Sequence, residues 1–272
     1  ALAQWAAKTK ADIIVLCGVH FMGETAKILC PDKKVLVPDL NAGCSLADSC
    51  PATEFAEFVK QHPGHTVISY VNTTAAVKAV TDVVVTSTNA RQIVESFPEG
   101  TPMIFGPDRN LGNYINSITG RNMLLWDGAC HVHEQFSLEK ILSLKKQYPN
   151  AEVITHPECK QPVIQVSDFV GSTAALLKYT IKSDAKQFIV ATESGVIHEM
   201  RKRSPDKEFI PAPPNDSTCA CNECNFMRLN TMEKLYNCLK FEMPEIFVDE
   251  EVQKKAIKPI KKMLEISEKL GL

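Results

Sequence analysis

Cysteine is the residue type that stands out for chemistry in this chain of 272 residues. There are ten, scattered rather than packed at the density of a small disulfide-stapled scaffold. Such usage fits a reducing compartment and metal or redox chemistry. Cys44 and Cys130 each sit in a small-residue loop after a short strand, Asn41-Ala42-Gly43-Cys44 and Asp127-Gly128-Ala129-Cys130, and Cys219, Cys221 and Cys224 crowd together further on. Three thiolates brought to one point by three similar units would hold a [4Fe–4S] cluster with one iron open to substrate, whereas four would suit electron transfer or structure. Zinc is the rival, because Cys221-Asn222-Glu223-Cys224 is a Cys-x-x-Cys pair, although no second pair at ribbon spacing accompanies it. For Cys44 or Cys130 taken singly, a small buried hydrophobe is the plain alternative.

The elements that would carry these loops alternate in type. Short apolar or β-branched runs begin at Ile13, Val35, Thr66, Val83, Met103, Glu152 and Gln187, and segments of helical period lie between them at 24–29, 53–61, 75–80, 89–96, 137–148 and 172–180. Strand-helix alternation with continuous apolar strands predicts an α/β fold with parallel sheets. The chain also repeats itself. An offset of 86 residues carries Tyr70 onto His156, Asn72 onto Glu158, Asp82 onto Asp168, Ser87 onto Thr173 and Cys44 onto Cys130. Phe105-Gly106-Pro107-Asp108, Leu16-Cys17-Gly18-Val19-His20 and Val190-Ala191-Thr192-Glu193 each follow a strand and precede a helix. Three copies are visible, and the partner of Tyr70 in the first would precede residue 1, so one more strand-helix segment is expected upstream. The expected division is a first αβα domain at 1–60 lacking its N-terminal part, a second at 61–146, a third at 147–246, and a C-terminal packing helix at 247–272.

Bulk properties remove several function classes. Thirty basic against 32 acidic side chains give a net charge of -2, no electrostatic reason to expect nucleic acid or an anionic membrane surface. No apolar run approaches the ~20 residues of a membrane span. Lys254, Lys255, Lys258, Lys261 and Lys262 read as the solvated face of the last helix. Neither a Gly-x-Ser-x-Gly elbow nor a Gly-x-x-x-x-Gly-Lys phosphate loop occurs.

Several motifs, in order over nearly the whole chain, resemble the quinolinate synthase family. They are Cys17-Gly18-Val19-His20-Phe21-Met22-Gly23-Glu24, Ala42-Gly43-Cys44-Ser45, Tyr70-Val71-Asn72-Thr73-Thr74-Ala75, Thr86-Ser87, Gly106-Pro107-Asp108, His131-Val132-His133, His156-Pro157-Glu158-Cys159 and Gly171-Ser172-Thr173. The resemblance implies three αβα domains related by pseudo-threefold symmetry around a [4Fe–4S] cluster, held by Cys44, Cys130 and Cys224. Cys224 is preferred because Asn225-Phe226-Met227-Arg228-Leu229-Asn230 follows it as in the family; Cys219 and Cys221 are then spare thiols or form a redox-sensitive pair with Cys224. The implied reaction condenses iminoaspartate with dihydroxyacetone phosphate to quinolinate, with loss of phosphate and water. An L-aspartate oxidase is the implied source of the imine. The implied setting is the cytoplasm, or the plastid stroma in a photosynthetic eukaryote.

Glu158 is expected to act as general acid or base, with His156 and Tyr70 orienting the substrate and donating protons. Asn72 is expected to hydrogen-bond a substrate carboxylate or carbonyl. Ser87, Ser172 and Thr173 stand at strand-to-helix junctions suited to phosphate or carboxylate, with plain helix capping as the alternative for Ser87 and Thr173. His131 and His133 are expected to tune the cluster, contact substrate or serve structure, and His20 to serve structural capping or contact at the start of its helix. Lys27 and Arg91 read as surface or interdomain residues. The family's upstream His-x-Tyr and Gly-Asp-Ser segments are absent from this sequence and are expected to complete one wall of the site. Two other classes stay open: a zinc- or thiol-dependent α/β enzyme, and a catalytically incomplete binding protein of the same fold.

Overall fold

A computed structural model describes residues 2–216 and 223–272. Ten strands run in chain order: β1 (Ile13–Val15), β2 (Lys34–Leu36), β3 (Thr66–Tyr70), β4 (Val83–Val85), β5 (Met103–Gly106), β6 (Leu124–Leu125), β7 (Glu152–Thr155), β8 (Phe169–Val170), β9 (Gln187–Ala191) and β10 (Glu208–Pro211). β1 and β2 pair with each other, and the rest form two four-stranded sheets of order β4-β3-β5-β6 and β10-β9-β7-β8. Every ladder is parallel. The expected α/β class with parallel sheets is what the chain adopts.

The chain packs as two compact units. One comprises Ala1–Pro107, Asn122–Gly128 and Asn225–Leu272; the other comprises Asp108–Arg121 and Ala129–Cys224. The first unit holds β1 to β6, and the second holds β7 to β10. In the first, Phe55, Val67, Val77 and Ile104 are buried together around the sheet. In the second, Ile141, Val153, Val163 and Ile189 fill one cluster, and Ile154, Leu176, Phe188, Val190 and Phe209 another. Successive residues of β7 and β9 therefore feed opposite clusters, as a parallel strand covered on both faces requires.

The repeat extends to individual bonds inside each unit. In the first, Asp82 Oδ2 accepts the Val67 amide at 2.8 Å, and the Ser69 and Thr81 hydroxyls meet at 2.7 Å. In the second, Asp168 Oδ2 accepts the Val153 amide at 2.8 Å, and the Thr155 and Ser167 hydroxyls meet at 2.5 Å. Ile68 pairs with Val83 as Ile154 pairs with Phe169. Each aspartate fixes the start of its strand by accepting an amide that the ladder leaves over, which explains why these polar positions keep the 86-residue offset.

Several elements depart from the sequence pattern: β6, β8 and β10 lie outside the expected strand runs, and the helix Met232–Phe241 outside the expected helical segments. β8 has only two residues, too few to register as an apolar run, and its place follows from the repeat. The helix Met232–Phe241 escapes the period argument because Met232, Tyr236, Leu239 and Phe241 are exposed, so its apolar residues do not mark a single buried face. The last helix spans Glu250–Lys269, and Asp249 Oδ1 caps it by accepting the Glu251 and Val252 amides at 2.9 and 3.0 Å. It buries Ala256, Pro259, Ile260 and Met263 and leaves its five named lysines exposed, the solvated face expected.

Candidate functional site

In the second unit, the side chains that could do chemistry gather beyond the carboxyl ends of β7 and β9, where open α/β sheets place their ligands. β7 ends at Thr155, and His156-Pro157-Glu158 follow at once; β9 ends at Ala191, and Thr192 and Glu193 follow. His156 and Glu158 are each 3% exposed, and His133 is 7% exposed. Glu158 Oε2 lies 3.2 Å from His133 Nδ1 and Oε1 lies 3.5 Å from His156 Nδ1. The two imidazoles are 4.9 Å apart between ring centres.

Backbone and second-rank contacts set the orientation of each ring. The Glu158 amide donates to His156 Nδ1 at 3.4 Å, which leaves the His156 proton on Nε2. Burial pushes the His156 pKa down to about 4, with Glu158 pulling it upward and His133 downward. The ring is therefore neutral at pH 7. The unfolded chain takes its proton near the ordinary 6.5 and the native protein only near 4. Its contribution to stability is thus full above 6.5 and falls as pH drops toward 4, by up to about 3 kcal/mol. The expected result is a His156 NMR resonance that stays flat from pH 8 to pH 5, and a midpoint near 6.5 would contradict the burial argument.

Cys130 is the N-cap of the short helix His131–Glu134. Its amide donates to Asp108 Oδ2 at 3.3 Å, and the same carboxyl caps the helix Arg109–Thr119 by accepting the Leu111 amide at 2.7 Å. Asp108 is fully buried, and burial followed by the Glu158 charge raises its pKa well above the carboxylate range, against three backbone amides that lower it. Asn110, on the first turn of that helix, donates to Glu134 Oε1 at 2.6 Å and to the Glu158 carbonyl at 3.0 Å. One helix start thus fixes both the Cys130 loop and the Glu158 loop. The sequence reading placed Asp108 near a helix start and passed over Asn110; the signal available was their shared position after Gly106-Pro107. Cys224 lies in the same unit, where its amide donates to Glu193 Oε1 at 3.3 Å. Ser172 is 4% exposed and caps the helix Thr173–Lys182 through the Ala175 amide at 3.3 Å, while Thr173 is exposed in its first turn.

In the first unit, Tyr70 ends β3 and is 5% exposed, and the half-buried Asn72 follows in a turn. The buried Lys78, which no motif marks, donates from Nζ to the Val71 carbonyl at 2.9 Å and to the Thr73 carbonyl. That ammonium pins the turn on either side of Asn72. Burial pulls its pKa down to about 8, while Glu24 and Cys44 hold it up. Ser87 sits in the turn before the helix Ala90–Glu95, whose N-cap is Asn89, so Ser87 is not that helix's cap. Cys44 is the N-cap of the helix Ser45–Asp48 and packs beside Phe226 in the cluster around Val19 and Phe21. Gly128 is held by close approach: a Cβ there would meet the Pro107 carbonyl and the Ser49 hydroxyl at 2.5 Å each.

The donor chemistry separates the thiols. Among the described residues Cys44, Cys130 and Cys224 are the half-buried cysteines, Cys30, Cys50, Cys159 and Cys238 are buried, and Cys17 is exposed. Burial pushes the Cys50 pKa up to about 12 and that of Cys159 far above its ordinary value, so these two stay protonated core groups. Half-burial leaves Cys44 accessible in the first unit and Cys130 and Cys224 accessible in the second. Cys219 and Cys221 lie outside the described residues.

A family model described as quinolinate synthetase A protein matches residues 1–265. The chain belongs to the quinolinate synthase family. It is 58% identical to the quinolinate synthase of Thermosynechococcus vestitus and 57% to that of Chloroherpeton thalassium, in both cases over 266 residues, 98% of this chain and 83% of the relative. The quinolinate synthase of Nostoc punctiforme is 58% identical over 98% of this chain and 82% of its own. Family membership therefore spans both units and every motif described above. Among the described residues no helix is long and apolar enough to cross a membrane.

Proposed function

We propose that the protein is an iron–sulfur quinolinate synthase, condensing iminoaspartate with dihydroxyacetone phosphate to quinolinate in NAD biosynthesis. The observation that carries this reading is the buried Glu158, His156 and His133 group beside Cys130, in a chain of this family. The atoms balance when one phosphate and two waters leave, with no net oxidation. A [4Fe–4S] cluster on Cys44, Cys130 and Cys224, bound with one iron open, would supply a Lewis acid for the dehydration.

The chain's own groups account for binding and proton transfer. Glu158 takes and returns protons during isomerisation and ring closure, from a buried position beside both imidazoles. His156, neutral with its proton on Nε2, donates a hydrogen bond to a developing oxyanion rather than a full positive charge. Tyr70 serves as the second donor at the end of β3, and Asn72, held by the Lys78-pinned turn, receives a substrate carboxylate or carbonyl. Ser87, Ser172 and Thr173, at strand-to-helix junctions, bind phosphate or carboxylate with nearby helix N-termini favouring the negative charge. An L-aspartate oxidase working nearby would supply the water-labile imine, and a reducing cytoplasm or stroma would keep the thiols available.

The test is an anaerobic assay of cluster-loaded protein expressed from its natural start. With dihydroxyacetone phosphate and iminoaspartate generated in place, the expected result is quinolinate and phosphate in equal amounts. Protein with about four irons and four sulfides that makes no quinolinate would overturn the reading.

A further inference from the structure

We propose that Cys130, His133 and Glu158 form a binding site for a single divalent ion of the zinc class, filled when the iron–sulfur cluster is not in place. One sulfur, one nitrogen and one oxygen ligand atom from these residues all lie within 4.8 Å of one another. This is the mixed donor set that zinc takes with its fourth position open. Ligand atoms around tetrahedral zinc stand about 3.5 Å apart, so closing the site needs side-chain shifts of about 1 Å.

The second observation is the state of His133. Its Nδ1 is buried and has no hydrogen-bond partner, although Glu158 Oε2 stands 3.2 Å away, outside the direction a ring N–H would point. Its other nitrogen, Nε2, is engaged with the Thr192 hydroxyl at 3.1 Å. A histidine with one nitrogen tied by hydrogen bond and the other bare beside a carboxylate has the arrangement of a metal ligand with its orienting partner in place. A cation beside Nδ1 would give that nitrogen a partner, with Oε2 as the neighbouring ligand. The other two ligands are also held from behind: Cys130 through its amide on Asp108, Glu158 through its carbonyl on Asn110. Cys130 is half-buried, which gives the ion a way in.

The site draws on one expected cluster ligand and two residues that are not cluster ligands, and it leaves out Cys44 and Cys224. Occupancy by zinc and assembly of the cluster therefore compete for Cys130; this competition, though not the site, rests on the cluster reading. The ion would guard the thiol in the cluster-free protein and must leave before iron and sulfide enter.

The experiment titrates anaerobic, chelator-treated, cluster-free protein with Co²⁺. One equivalent is expected to give a near-ultraviolet thiolate-to-cobalt band and the visible bands of a four-coordinate ion, both erased by Zn²⁺. Cys130→Ser should abolish the thiolate band, and His133→Gln and Glu158→Gln should each weaken binding about tenfold or more. Cys44→Ser and Cys224→Ser should leave the spectrum unchanged. No binding, binding that survives in Cys130→Ser, or binding lost in Cys44→Ser or Cys224→Ser would overturn the site. Glu158→Gln guards against a misfolded His133 variant, since it changes one atom of a side chain. Iron and sulfide loading of Cys44→Ser, Cys224→Ser and His133→Gln reports separately on the cluster, which should need the two thiols and not the imidazole.

Discussion

Cys130→Ser is expected to strip the reconstituted protein of iron and labile sulfide, with loss of the broad visible absorption, while the fold persists. The thiol sits at the N-cap of the helix His131–Glu134, and Asp108 fixes its backbone through the amide. A serine keeps the size and the helix start but binds iron far less well, so the change removes the ligand with little strain. Cys159→Ala is the matched control. That thiol is fully buried, donates to the Ala191 carbonyl at 3.4 Å and has its pKa raised by burial, so its loss should cost about 1–2 kcal/mol of stability and no iron. Iron and sulfide analysis with a visible spectrum decides. Four irons retained in Cys130→Ser, or lost in Cys159→Ala, would break the assignment.

Glu158→Gln is expected to lower kcat by about 10²–10⁴ with iron content unchanged. Gln fills the same volume, and the Asn110 contact goes to the Glu158 carbonyl rather than its carboxylate, so the loop should hold. What disappears is a buried carboxylate within 3.5 Å of both His133 and His156, and with it a group able to take and return a proton. Steady-state kinetics on cluster-loaded variant and parent make the comparison. A kcat within a few-fold of the parent would remove Glu158 from the proton transfers, and loss of iron would move it to a structural role.

The repeat was legible because it is written in contacts local to a strand and the helix after it. Asp82 and Asp168 each cap their own strand pair, and such a pairing needs the same residue at the same offset whatever surrounds it. Cys44, Cys130, Tyr70, His156, Asn72 and Glu158 became visible as candidates through that offset and the family's motifs. Lys78 and Asn110 left no comparable trace. A buried lysine that pins a turn and an asparagine that joins two loops are ordinary residues until their distant partners are placed.

By itself the sequence determined the α/β class and the parallel arrangement of its main strands. Those features follow from hydrophobic period, which acts over a few residues. Only the tertiary structure decided that His133 turns Nδ1 toward Glu158 and Nε2 toward Thr192. It also decided that His156 is held neutral and that Cys159 is core while Cys130 is half-buried. Those outcomes depend on burial and on partners tens of residues away, because desolvation and hydrogen-bond geometry belong to the packed chain and not to any one segment of it.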